Sequence, residues 1–221
     1  MPEVPEVASA EVPRILREEP SWLVVDKPAG WHSVAGGGDS DGPSVEAWLR
    51  AARPELAGLD ECGLVHRLDR FTSGCLLVAR DAGSRERLRA SFSGRGGDLR
   101  KTYLALVVGR AEPGSFTLAF TSRHKGSAKV TVSPRGEPAT IGRCRRTVAA
   151  RHANETLLEV ELLGPGRRHQ IRAGLASLGV PLVGDTLYRG PDHGRGVHLH
   201  AWRLEVDGVV TESPRPDWAG G

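Results

Sequence analysis

Between Phe116 and Leu163 the chain runs in short segments in which apolar and polar residues alternate, with turns at Pro134-Arg135-Gly136 and His152-Ala153-Asn154. A period of two puts successive side chains on opposite faces of a pleated strand, so this stretch predicts antiparallel sheet. Two other runs are continuously apolar and read as buried strands: Trp22-Leu23-Val24-Val25-Asp26 and Cys75-Leu76-Leu77-Val78-Ala79. Thr102 to Val108 is β-rich, and His198 to Val206 reads as a last strand.

Helices fall between these groups of strands. Ser44 can cap a helix through about Ala52, with Val45, Trp48 and Leu49 at helical spacing. Asp81 can cap one over about Ala82 to Phe92, with Leu88 and Phe92 on its inner face. After the breaker Gly164-Pro165-Gly166, a third runs from about Arg168 to Leu178, with Ile171, Leu175 and Leu178 facing the core and Gly179 at its end. Strands and helices do not alternate strictly, so the class is α+β: a mixed, largely antiparallel sheet flanked by helices and loops. Residues 1–20, with Pro2, Pro5, Pro13 and Pro20, are expected to be a flexible arm. Residues 21–210 form a single domain and 211–221 a tail, and Gly36 to Pro43 is a flexible loop.

Charge and composition exclude several classes. At 221 residues, 26% charged and 39% hydrophobic, the chain fits a globular protein with its own core. No apolar stretch approaches the ~18 residues a membrane span needs. Met1 to Arg14 lacks a basic segment followed by an apolar run, so no signal peptide is expected. A cytoplasmic location follows, with no membrane partner. Cys62, Cys75 and Cys144 are odd in number and lack zinc-finger spacing, which predicts reduced, structural thiols. The net charge is only +3, but the positive charge is clustered. Arg85 to Lys101 holds six cations against two acids. Arg123, Lys125, Lys129 and Arg135 stand with no acid between them, as do Arg143, Arg145, Arg146 and Arg151. Such clusters suit phosphate neutralisation, although solvated surface faces look the same.

Three segments carry candidate chemistry. Asp69 lies in His66-Arg67-Leu68-Asp69-Arg70-Phe71-Thr72-Ser73-Gly74, just before an apolar strand. A lone loop Asp is commonly a turn residue or a cap. A carboxylate among polar donors on a connection anchored by a strand is also a common catalytic placement. In Gly166-Arg167-Arg168-His169-Gln170-Ile171-Arg172, His169 and Arg172 share one helix face, as do Arg168 and Arg172. Cations at a helix N-terminus oppose the macrodipole, so this cluster asks for an anionic partner: a buried carboxylate, a phosphate, or both. In Lys101-Thr102-Tyr103 the aromatic is by itself a core residue, though a ring beside a lysine can also stack on a nucleobase.

Taken together these segments resemble the RluA-type pseudouridine synthase family, from about Leu23 to Glu205. Val24-Val25-Asp26-Lys27-Pro28-Ala29-Gly30 resembles its opening block, and His66-Arg67-Leu68-Asp69 with Thr72-Ser73-Gly74 its signature. Lys101-Thr102-Tyr103 matches its Lys-x-Tyr block. Gly166 to Arg172, followed by Leu178-Gly179 and Pro181-Leu182-Val183-Gly184-Asp185-Thr186-Leu187-Tyr188, resembles its late block. The resemblance implies that Asp69 attacks the target uridine nucleotide. Arg172 would hold Asp69 ionised, and Tyr103 would stack on the base and assist proton abstraction. It further implies that Arg67 helps displace the base, that Arg167 and Arg168 meet phosphates, and that His66, Thr72, His169 and Lys101 contact RNA. The implied partner is ribosomal or transfer RNA, with no cofactor, no metal and no obligate protein partner; a monomer is expected. The small N-terminal RNA-binding domain of some members is expected to be absent. Pro165 stands where the family commonly has Thr, and Phe71 where it often has an acid or Asn.

Two other readings use the same residues. A non-catalytic RNA-binding protein of this fold would need the basic segments but not Asp69, Arg172 and Tyr103 together. A metal-dependent hydrolase would use His193, His198 and His200 near Asp192, since His198 and His200 share one face of a strand.

Overall fold

The computed structural model describes residues 11–36, 42–122, 124, 127–194 and 196–220. Part of the expected arm (1–10), part of the expected glycine-rich loop (37–41), and Arg123 and Lys125 lie outside the described residues. The described strands are β1 (Arg14–Glu18), β2 (Trp22–Lys27), β3 (Ser73–Ala79), β4 (Leu99–Val108), β5 (Gly114–Thr121), β6 (Thr131–Ser133), β7 (Ile141–Arg151), β8 (Glu155–Leu162), β9 (Leu199–Val206) and β10 (Val209–Glu212). The helices are α1 (Val45–Ala52), α2 (Ala82–Phe92) and α3 (Gln170–Ser177).

Among the described residues the strands form one mixed sheet in the order β1-β2-β3-β9-β4-β8-β7-β5-β6, with β10 also paired to β9. The pairing is antiparallel except between β3 and β9, which run parallel. That parallel contact covers only Ser73–His200 and Gly74–Ala201. A Cβ on Gly74, at φ +103°, would lie 2.3 Å from the Ala201 carbonyl oxygen. The glycine that closes the Thr72-Ser73-Gly74 motif therefore lets two backbones meet where no side chain fits.

The two kinds of apolar pattern have one cause, which is how many faces of the sheet are covered. In β2, Leu23 and Val25 enter the core under α1 and α3, while Trp22 and Val24 enter a second cluster with Leu88 of α2. The strand is covered on both sides and reads as a continuous apolar run. In β4, Tyr103, Ala105 and Val107 point to the first side, and Leu104 and Leu106 to a third cluster with Val183 and Trp218. β7 alternates instead, with Gly142 and Cys144 buried and Arg143 and Arg145 exposed.

Capping follows the sequence at α1 and α2. Ser44 accepts from the Ala47 amide at 3.2 Å, and Asp81 accepts from the Ser84 amide at 2.8 Å. Three expectations are corrected. Residues 14–18 of the expected flexible arm form β1 on the edge of the sheet, set by backbone pairing to β2, with Arg14 reaching Asp26 at 3.0 Å. The expected tail, 211–221, starts inside β10, and its Trp218 stacks on His198 at 5.1 Å. α3 starts at Gln170, since His169 is left-handed (φ 53°), and it ends at Ser177, leaving Leu178 exposed at its C-terminal end. Gly179 closes that end at φ +80°, where the Val180 amide reaches back to the Leu175 carbonyl.

Candidate active site

A cleft of about 710 Å³ lies against the sheet face that carries Tyr103, lined by the loop before β3, by β4 and by the start of α3. Asp69 sits on that loop, and the loop is tied down on both sides of it. Ser33 clamps Leu68: its hydroxyl donates to the Leu68 carbonyl (3.0 Å) and accepts from the Leu68 amide (2.9 Å). On the other side, the Arg70 carbonyl accepts from Lys27 Nζ at 2.9 Å and from the Gly30 amide at 2.9 Å. The Thr72 amide then closes a turn on the Asp69 carbonyl at 3.0 Å. The Lys27-Pro28-Ala29-Gly30 block is thus the brace of the Asp69 loop. Lys27 is fully buried and also donates to the Pro28 and Trp31 carbonyls. Burial pushes its ammonium down to about 7, against the pull of the Asp69 charge.

The anion that the basic cluster asked for is a pair of carboxylates. Arg172 donates from Nη1 to Asp69 Oδ2 at 2.8 Å, and from Nε and Nη2 to the two oxygens of Asp185 at 2.7 and 2.9 Å. Asp185 is 1% exposed and Asp69 32%. Burial opposes the Arg172 charge, but the bonds to Asp185 and Asp69 outweigh it and hold the guanidinium above its usual range. Asp185 had no signal of its own in the sequence: it lies 13 positions from Arg172, and only the turn after β-paired Val183 brings it underneath. Asp69 Oδ1 takes no hydrogen bond among the described residues, so it is the free oxygen of the carboxylate.

His169 also faces Asp69. It is not on the helix face expected for it, because its left-handed backbone precedes α3, yet Nε2 lies 3.6 Å from Asp69 Oδ2. Its Nδ1 is 2.9 Å from the Tyr188 hydroxyl. Tyr103 lines the cleft and is 8% exposed. Burial, and then the Asp69 charge, push its phenol up, so it stays protonated at neutral pH.

The other expected site residues are placed as follows. Arg67 is exposed on the cleft wall. His66 stacks on Phe92 at 4.2 Å, and its Nε2 accepts from the Leu77 amide at 3.1 Å. Thr72 is buried. Lys101 is buried, donates to the Gly164 carbonyl at 3.1 Å and lies over the Phe92 ring; burial lowers its ammonium to about 8. Arg167 Nε is bound to the Ile141 carbonyl, and Arg168 Nη2 to Ser122 Oγ and the Ser127 carbonyl. His66 Nε2, one N–H of Lys101 and Arg168 Nη2 are thus bonded within the protein, and Arg168 remains exposed. Of the two departures, Pro165 packs against Gly94, while Phe71 is 46% exposed, with the Arg70 guanidinium 5.4 Å from its ring centre.

His200 Nδ1 is 2.8 Å from Ser73 Oγ, and His198 stacks on Trp218. Among the described residues no group of three or more His, Cys, Asp or Glu is placed to hold a metal ion. Cys62, Cys75 and Cys144 are buried and unpaired. No described helix is long and apolar enough to cross a membrane.

Residues 21–177 match the family model described as RNA pseudouridylate synthase. A ribosomal large subunit pseudouridine synthase D of Xanthomonas campestris is 40% identical over 83% of this chain and 54% of its own length. One from Nitrosomonas europaea is 34% identical over 92% of this chain and 62% of its own. The chain thus spans between about half and three-fifths of the curated relatives it matches. Among solved structures, human RNA pseudouridylate synthase domain containing 4 superposes with a TM-score of 0.70 at 18% identity, covering 93% of this chain and 89% of that one. Human RNA pseudouridylate synthase domain containing 1 gives 0.69 at 24%, covering 96% and 86%. At these identities the two structures share the fold.

Proposed function

The chain belongs to the RNA pseudouridylate synthase family, and on that premise we propose that it isomerises uridine to pseudouridine in RNA, with Asp69 as the catalytic carboxylate. One observation carries the reading. A partly exposed carboxylate in a cleft is held through one oxygen by an arginine that a buried second carboxylate fixes from behind. A chain that only bound RNA would gain nothing from such a carboxylate, since it repels phosphate.

The reaction conserves atoms. The bond between N1 and the ribose C1′ breaks, uracil turns, C5 bonds to C1′, the proton on C5 leaves and N1 takes one up. No electrons or groups come from outside, so the reaction calls for no cofactor. Asp69 is the covalent nucleophile, reacting through Oδ1. Arg172 keeps the carboxylate ionised and aimed. Tyr103 offers its ring to the base. Because its phenol stays protonated, it takes the C5 proton at oxygen only as its own proton passes to N1 of the same uracil, the atom that must gain one. The target base must leave its stack to enter the cleft, and Arg67, exposed on the cleft wall, fills the gap it leaves.

The names of the curated relatives point to large-subunit ribosomal RNA as their substrate. They support a uridine there as the target of this chain, with transfer RNA as the second candidate. All proposed catalytic groups come from one chain, so the reaction calls for no second copy, and we place the protein in the cytoplasm as a monomer. The test is pseudouridine mapping of large-subunit ribosomal and transfer RNA transcripts after incubation with the wild type and Asp69→Asn. The wild type modifies a defined uridine and Asp69→Asn none, while both bind the RNA. Product from the variant would overturn the assignment.

A further inference from the structure

His169 and Tyr188 form a second holder for Asp69, and the hydrogen bonds around Tyr188 define what it does. The Val130 amide donates to the Tyr188 hydroxyl at 2.9 Å. That hydroxyl has one proton, and its remaining partner among the described residues is His169 Nδ1, also at 2.9 Å. An oxygen accepting from both neighbours would leave its own proton without a partner among the described residues; giving that proton to Nδ1, as acceptor, satisfies both contacts. A neutral imidazole whose Nδ1 accepts carries its own proton on Nε2. Nε2 is the nitrogen that faces Asp69 Oδ2, 3.6 Å away.

The surroundings keep the ring neutral. Asp69 and Asp185 favour the imidazolium, and Arg172 and Arg168 oppose it. Burial of the ring, 12% exposed, is the largest influence and also opposes charge. Tyr188 meets His169 edge-on at 5.6 Å between ring centres, and its ring also lies 5.5 Å from the Arg172 guanidinium. One aromatic thus packs against both groups that address Asp69.

Resting on the reading of Asp69 given above, we propose that His169 is a positioning residue: Tyr188 locks its imidazole with the proton on Nε2, and that N–H steers Asp69 Oδ2. Arg172 donates to the same oxygen at 2.8 Å. With Oδ2 taken by two donors, Oδ1 stays free to react. In this arrangement Nδ1 is engaged by Tyr188 and Nε2–H is directed at Asp69 rather than at RNA. The 3.6 Å separation is longer than a hydrogen bond. Closing it is a small movement of Asp69 when the cleft is filled.

The test reads the tautomer directly. In the full-length protein with ¹⁵N-labelled histidine, His169→Gln identifies the His169 resonances. The wild type shows a neutral ring protonated on Nε2, and in Tyr188→Phe the ring moves to a mixture of tautomers. An Nδ1-protonated ring in the wild type, or an unchanged tautomer in Tyr188→Phe, overturns the proposal whether or not the protein modifies RNA. Turnover supplies the second measurement. Tyr188→Phe and His169→Ala lower kcat about tenfold or more with KM for RNA nearly unchanged. His169→Gln, whose amide N–H can take the place of Nε2–H, recovers part of the loss. A loss confined to KM would make His169 an RNA contact after all. Inactivity of the wild type on every RNA would overturn the reading of Asp69 and leave the tautomer measurement standing.

Discussion

Arg172 meets Asp185 through Nε and Nη2, at 2.7 and 2.9 Å, in the two-pronged geometry that only a guanidinium can make. With two of its three nitrogens fixed on a carboxylate that is 1% exposed, the third points in one direction, toward Asp69. Asp185 thus acts on the site at one remove. Asp185→Asn keeps the volume but loses the charge and half of the fork. The expected result is a fall in kcat on the order of 100-fold, with RNA affinity within a few-fold of wild type. Removing the cation is worse: Arg172→Ala strands a buried Asp185 and is expected to cost about 3–5 kcal/mol in denaturant unfolding. Unfolding curves and single-turnover rates on RNA check the two outcomes. An Asp185→Asn enzyme with unchanged kcat would show that Arg172 needs no support.

Tyr103 separates ring from hydroxyl. The hydroxyl takes no hydrogen bond within the described residues, so Tyr103→Phe should leave stability within about 1 kcal/mol of wild type. The ring remains to meet the base, so RNA affinity should also hold. Turnover should drop by about 100-fold or more, because the proton relay is gone. Rates and RNA affinity measured on the same preparation decide this. Equal loss in affinity and rate would assign the hydroxyl to binding.

How much of this was legible in the chain depended on range. β2, β3, α1 and α2 stand close to where periodicity and caps put them, because Ser44 and Asp81 act on amides three residues away. α3 was read two residues too early: the basic run looked helical, but Gln170 turns back to accept from the Arg167 amide and fixes a left-handed His169 ahead of the helix. β1 escaped notice because edge pairing to β2 sets it, not its own composition. Asp69, Arg172 and Tyr103 stood out by type and by their place in recognisable blocks. Asp185, Tyr188 and Lys27 lay in those blocks without a role, since each acts through partners 13 to 58 positions away.

Gly74 tests the sheet beneath the site. An alanine Cβ there would sit 2.3 Å from the Ala201 oxygen and 2.9 Å from the Ala201 nitrogen, both backbone atoms, on a residue at φ +103°. Neither the clash nor the strain has a flexible neighbour to absorb it. Gly74→Ala is expected to destabilise by more than about 3 kcal/mol, beyond the range of ordinary point changes. The parallel β3–β9 contact spans only two residue pairs, so the loss should spread to the Asp69 loop. Thermal unfolding would register it. An unshifted midpoint would mean that the two strands can part without cost.

His66 gives the fold an acid limit. Its Nε2 accepts from the Leu77 amide, so Nδ1 carries the proton of the neutral ring. Burial, and then the charge of Lys101, lower its titration to about 3 from 6.5. The depressed value means that the unfolded chain binds the proton first as pH falls. Stability from this group is whole above pH 6.5 and is lost progressively as pH drops toward 3. At pH 4.5 the linkage amounts to about 2–3 kcal/mol. His66→Gln can still accept from Leu77 through its amide oxygen but does not titrate. The variant should be somewhat less stable than wild type at pH 7.5, for loss of the stacking on Phe92, and should lose less stability on acidification. Urea unfolding of both proteins at pH 7.5 and 4.5 checks the sign. Parallel losses in the two proteins would place the acid sensitivity in other groups, His200 first, since burial lowers its imidazole to about 4.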